Sequence, residues 1–172
     1  MGAGKSTVGR IVASNLDMDF VDLDGLIATN AGKSISAMFS DEGENEFRKL
    51  EQEALRKELA GTGKVISCGG GIVLDEKNIR LLRERSLVFW LLIEESEVIA
   101  RLANNNDRPL LKGRDFLQEV RQLMAERRDK YMRAAHEVIE VDRLEPRAIA
   151  EEITIRWKRF RSTSRERNTG FM

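Results

Sequence analysis

Cysteine and histidine are almost absent from this 172-residue chain, which has one of each, Cys68 and His136. A single cysteine excludes an intrachain disulfide, and one histidine beside it leaves a zinc cluster short of ligands. A reducing, cytoplasmic setting is expected. Excess charge is lacking too, since Lys plus Arg total 29 and Asp plus Glu total 29. No overall field draws the chain to nucleic acid or to an anionic membrane, and neither is expected as a partner. Long hydrophobic runs are also missing. The most apolar stretch, Leu87 to Ile93, falls far below the roughly 20 residues that cross a bilayer. The glycine-rich N-terminus leads into a polar-faced helix and does not read as a signal peptide. What remains is one domain, large enough to bury a core and expected as a monomer.

The most informative residues come first. Gly2-Ala3-Gly4-Lys5-Ser6-Thr7 is the end of the phosphate-binding pattern G-x-x-x-x-G-K-[ST]. In that pattern peptide N–H groups wrap nucleotide phosphates, the lysine adds positive charge and the hydroxyl meets Mg²⁺. Val8, Ile11, Val12 and Leu16 recur at helical spacing, which places Lys5 and Ser6 on a helix N-terminus. Unpaired N–H groups and the helix dipole favour an anion there. The first glycine of the pattern falls two places upstream of Met1, so the strand that feeds the loop is expected to be missing. Loss of a central strand predicts a poorly soluble or inactive chain.

Strands and helices alternate along the rest. Phe20–Leu23, Lys64–Cys68, Leu87–Ile93 and Glu137–Val141 read as strands, the third apolar throughout, which suits a parallel sheet covered on both faces. Helices are expected over 42–59, 75–85, 96–102 and 116–135, with a last one from Pro146. The pattern is that of an α/β sandwich whose ligands bind at the carboxyl ends of its strands. Two stretches break the alternation. Residues 32–59 form a helical insert, and the polar segment 103–115 has the character of a lid.

Candidate chemistry clusters at the strand ends. Asp22 and Asp24, two positions apart at the end of a strand, project to one side, where one can face a metal and the other a substrate hydroxyl. An ordinary turn at Asp24-Gly25 explains the same residues. Gly69-Gly70-Gly71 marks either a tight turn or a close approach to bare backbone. Cys68 reads as a small buried residue, with no base beside it. Arg48 has Glu51 three residues on, a spacing that lets the carboxylate hold the guanidinium. Arg108 precedes the rigid Pro109, and Arg127 lies one turn before Tyr131. Arginine forks suit carboxylate and phosphate groups.

Six stretches occur in order: Gly2-Ala3-Gly4-Lys5-Ser6-Thr7; Asp22-x-Asp24; Gly43-Glu44-x-x-Phe47-Arg48-x-x-Glu51; Gly69-Gly70-Gly71; Arg108-Pro109-Leu110-Leu111; and Arg127-x-x-x-Tyr131. Together they resemble the motifs of shikimate kinase, a P-loop small-molecule kinase family, from Met1 to about Trp157. The resemblance implies a three-layer P-loop kinase sandwich with a parallel sheet, in one domain over 1–160 that contains a substrate-binding insert and a lid. It implies ATP-dependent phosphorylation of shikimate, in the pathway to chorismate and the aromatic amino acids. Gly2, Ala3, Gly4, Lys5, Ser6 and Thr7 would bind ATP phosphates, with Ser6 and Asp22 toward Mg²⁺ and Arg101 against the adenine. Asp24 would meet the reacting hydroxyl, as orienter or base. Arg48 and Arg127 would clamp the shikimate carboxylate, Gly69, Gly70 and Gly71 would support the ring hydroxyls, and Lys5 and Arg108 would stabilise the transferring phosphoryl group. The chain departs from the family at its missing strand and in the basic residues 161–172, read as a disordered tail. Other small P-loop kinases, of gluconate or of nucleoside monophosphates, stay open as alternatives, as does a non-catalytic nucleotide-binding protein.

Overall fold

The computed structural model describes residues 2–98 and 114–169. Helix α1, Lys5–Leu16, starts at Gly4, whose left-handed φ of 74° favours a residue without Cβ, and strand β1 follows over Asp19–Asp22. Asp22 then caps helix α2, Leu23–Ala31, by accepting a hydrogen bond from the Gly25 N–H at 3.3 Å. Helix α3, Ile35–Asp41, is capped in the same way by Ser34, whose Oγ accepts from the Ala37 N–H. Helix α4, Glu44–Leu59, carries Glu44 and Glu46 in its first turn and Arg56 and Lys57 in its last, matching the helix dipole. The segment expected as a helical insert is helical.

Strand β2, Lys64–Ser67, leads through the triple glycine to a short 3₁₀ turn, Ile72–Leu74, and to helix α5, Glu76–Arg85, capped by Asp75. Strand β3 is Phe89–Leu92, helix α6 is Arg114–Ala134, strand β4 is Glu137–Glu140 and helix α7 is Pro146–Thr169. Of the helix expected over 96–102, residues 96–98 are helical and the rest lie outside the described residues. Helix α7 corrects the disordered tail through Thr169. No glycine or proline interrupts it after Pro146, and the Arg161 guanidinium lies over the Trp157 ring at 5.0 Å, one turn away.

All strand pairing is parallel. Strand β1 pairs with β2, Asp19 opposite Lys64 and Asp22 opposite Ser67, and β3 pairs with β4, Phe89 opposite Glu137 and Leu92 opposite Glu140. Among the described residues these are two separate pairs rather than one continuous sheet. The buried side chains form two cores, and β2 contributes to both, Val65 to one and Ile66 to the other. Val8, Val12, Ile93, Val141 and Ile153 belong to one, and Leu23, Met38, Phe47, Leu55 and Leu82 to the other. The architecture is that of an α/β P-loop kinase, with helices packed on parallel strands. Helix α1 can lie close on β1 because Gly9 has no side chain; a Cβ there would stand 2.7 Å from Phe20 Cε2.

One expectation fails for a structural reason. The apolar run around β3 is not covered on both faces, since Phe89, Trp90, Leu91 and Leu92 are all only half-buried. They border a cavity of about 1150 Å³ between β2 and β3, also lined by Val65 and Cys68.

Candidate functional site

The phosphate loop has the backbone its sequence demands. Gly2 and Gly4 both have left-handed φ angles, 69° and 74°, and no atom lies within 4 Å of where a Gly4 Cβ would be. No side chain caps α1 and no acidic residue lies in its first turn, so this helix start is suited to an anion. Ala3 is buried beneath the loop. Lys5, Ser6 and Thr7 form the first turn itself. The Ser6 hydroxyl donates to Asp22 Oδ2 at 2.6 Å and stands 3.4 Å from Ser67 Oγ. Two strand ends and one helix start thus bring hydroxyl and carboxylate oxygens together.

Asp22 and Asp24 are not neighbours along a strand, which corrects the expected geometry. The strand stops at Asp22 because its side chain caps α2, and Asp24 sits in the first turn of that helix. Burial and the nearby Asp22 carboxylate raise the Asp24 pKa above the usual value, while Lys5 and Arg48 oppose the shift. A carboxylate in that state is a better proton acceptor than a solvated one.

Arg48 is held as the spacing predicts. Its Nη1 donates to Glu51 Oε2 at 2.7 Å and its Nη2 to Glu44 Oε1 at 2.9 Å. Burial alone would lower the Arg48 pKa, but these hydrogen bonds outweigh it and keep the guanidinium charged. Glu51 is only 1% exposed, and burial raises its pKa against the pull of Arg48. On α6, Arg127 has its Nε buried without a hydrogen-bond partner among the described residues. Tyr131, one turn on, donates from its hydroxyl to the Gly70 carbonyl at 2.7 Å and stacks on Trp90 at 5.7 Å.

The triple glycine joins these groups. None of Gly69, Gly70 and Gly71 has a left-handed φ, so the turn itself does not require glycine. Space does. A Cβ at 69 would lie 2.5 Å from Asp24 Oδ1, one at 70 would lie 3.3 Å from both Arg127 Nη1 and Tyr131 Oη, and one at 71 would lie 2.6 Å from Arg48 Cζ. Three consecutive backbone units therefore form a floor on which Asp24, Arg127 and Arg48 rest, each arriving from a different helix.

Arg101, Arg108 and residues 103–113 of the lid expected over 103–115 lie outside the described residues, while 114 and 115 open α6. Cys68 is half-buried, and burial pushes its thiol pKa up to about 12, so it stays protonated at neutral pH. Sequence reasoning had no site role for Ser67, Glu44 or Tyr131. For Tyr131 the signal was present in its helical spacing from Arg127.

The family described as shikimate kinase matches residues 1–158. A shikimate kinase of Sulfurihydrogenibium sp. is 40% identical over 159 residues, covering 92% of this chain and 94% of that relative. The structure of an Acinetobacter baumannii shikimate kinase in complex with shikimate superposes with a TM-score of 0.82 at 33% identity, covering 89% of this chain and 86% of that one. A Bacteroides thetaiotaomicron shikimate kinase gives a TM-score of 0.83 at 28% identity, with 94% of each chain covered. Matched by the family over residues 1–158 and by a relative 40% identical over 92% of its length, the chain belongs to the shikimate kinase family.

Proposed function

We infer that this chain transfers a phosphoryl group from ATP to the 3-hydroxyl of shikimate, giving shikimate 3-phosphate for chorismate and aromatic amino acid synthesis. The observation that carries the reading is the convergence of one raised-pKa carboxylate and two arginines on the Gly69–Gly71 floor. A small ring acid with a carboxylate at one end and hydroxyls at the other fits that arrangement. Family membership and a relative's complex with shikimate support it.

Each residue then has a physical task. Arg48, fixed by Glu44 and Glu51, and Arg127, with a buried N–H to spare, hold the substrate carboxylate. Asp24 receives the hydrogen of the attacking hydroxyl and orients that oxygen. Backbone N–H groups over 2–7 cradle the ATP phosphates, and Lys5 neutralises charge that develops on them. Arg101 on the adenine and Arg108 at the transferring group complete the assignment.

Mg²⁺ fits the oxygens present. Ser6 and Asp22 offer one hydroxyl and one carboxylate, and no larger His, Cys, Asp and Glu cluster occurs among the described residues. A small hard cation that keeps its waters and shares phosphate oxygens needs no more from the protein. When bound, it screens the phosphate charge. Among the described residues no helix is long and apolar enough to cross a membrane.

A coupled ADP-release assay tests the reading. Turnover with shikimate should far exceed turnover with gluconate or nucleoside monophosphates, and equal or faster turnover of either rival would overturn it.

A further inference from the structure

A peptide unit between two glycines has no Cβ on either side to fix its plane, so it can rotate with little steric hindrance. The Gly69–Gly71 floor contains two such units, and space forbids side chains at all three positions. Hydrogen bonds must hold them instead. The first unit is held by backbone, since the Gly69 carbonyl accepts from the Ile72 N–H at 3.2 Å. The second is held by a side chain. The Gly70 carbonyl accepts from the Tyr131 hydroxyl at 2.7 Å, across 61 residues of sequence.

Tyr131 is itself fixed, because its ring stacks on Trp90 with 26° between the two planes. Burial raises its pKa against the pull of Arg127, so at neutral pH the hydroxyl keeps the proton that it donates. The bond also acts on the far side of the peptide. No peptide bond is cis among the described residues, so the Gly70 carbonyl and the Gly71 N–H share one plane and point in opposite directions. Gly71 is buried, and among the described residues its N–H meets no acceptor, although buried N–H groups are normally paired. This donor lies beside Arg48, whose Cζ would stand 2.6 Å from a Cβ at position 71. A carboxylate held by Arg48 is an acceptor suited to it.

We propose that Tyr131 is a positioning residue, whose hydroxyl sets the plane of the Gly70–Gly71 peptide and so aims the Gly71 N–H at the substrate carboxylate beside Arg48. The proposal rests on the function inferred above. It gives the tyrosine a task in substrate binding without any contact with substrate.

Tyr131→Phe is the test, because it keeps a ring to stack on Trp90 and removes only the hydroxyl. The KM for shikimate should rise about tenfold or more, while kcat and the KM for ATP stay within about twofold. A shikimate analogue with hydrogen in place of the carboxylate separates aiming from general distortion. Its affinity, read by competition with shikimate, should be the same in both proteins within about twofold. An unchanged KM in Tyr131→Phe would overturn the proposal and leave the functional reading intact, and so would an equal loss of affinity for the analogue. A parent chain that binds and phosphorylates no shikimate would overturn both. Were Tyr131→Phe to unfold, the parent's Gly71 amide decides instead. Saturating shikimate should slow its hydrogen exchange about tenfold or more, and unchanged exchange would overturn the proposal.

Discussion

A methyl group added at position 71 tests whether the glycine floor positions Arg48. In Gly71→Ala the new Cβ would sit 2.6 Å from Arg48 Cζ, whereas carbon atoms rest about 3.5 to 4.0 Å apart. The guanidinium must retreat by about 1 Å. It cannot do so freely, because its bonds of 2.7 Å to Glu51 and 2.9 Å to Glu44 hold it from behind, and Glu51 is buried. A misplacement of about 1 Å costs on the order of a hundredfold in rate, or about 2.7 kcal/mol. We therefore expect kcat/KM for shikimate to fall about a hundredfold while the KM for ATP stays within about twofold. The measurement is a steady-state assay of the variant beside its parent, with the thermal midpoint as a check on folding. The coupling is tested in an Arg48→Ala background, where adding Gly71→Ala should cost little more. A single Gly71→Ala protein within about threefold of its parent would refute the reasoning.

Other outcomes follow from the same site. Arg48→Ala and Arg127→Ala should each raise the KM for shikimate well over about tenfold with little change in ATP binding, whereas Lys5→Ala should chiefly lower kcat. Unchanged shikimate affinity in Arg48→Ala would remove the clamp. Asp24→Asn should abolish turnover and yet raise the thermal midpoint at neutral pH. Its raised pKa means that folding favours the protonated form, so its contribution to stability is full at low pH and is lost as pH rises through the folded-state pKa. The stabilisation by Asn should therefore vanish in acid, and a midpoint gain that persists at low pH would contradict it. Ser6→Ala should raise the Mg²⁺ concentration needed for half-maximal activity, since it removes one of the two oxygens offered to the ion. An unchanged Mg²⁺ titration would count against that role.

The order of elements was legible because apolar spacing and capping residues are local, and all four strands lie where the apolar runs place them. The purpose of Gly69–Gly71 was not. A run of glycines shows only that side chains are excluded, and the excluding groups arrive from residues 24, 48 and 127, far away in sequence. The Asp22 to Asp24 geometry was misread for the opposite reason. A cap at Asp22 ends the strand one residue early and puts Asp24 in a helix, and the hydrogen bond to Gly25 that decides it lies within three residues. The exposure of β3 could not be foreseen from its composition, which suits a fully covered strand, because coverage depends on the cavity between β2 and β3. Helix α7 outran its expected end because a charged surface sequence without glycine or proline reads equally as coil or as an exposed helix.

The stacked pair of Trp90 and Tyr131 also gives the molecule an optical reporter. The chain has only two tryptophans, and Trp157 sits beneath Arg161 on α7, so Trp157→Phe leaves the indole of Trp90 as the sole emitter. Its ring lies 5.7 Å from a phenol that is hydrogen-bonded to the Gly70 carbonyl. A ligand that displaced the glycine floor would move the phenol and change the emission of Trp90, so occupancy would be read by fluorescence with no label attached.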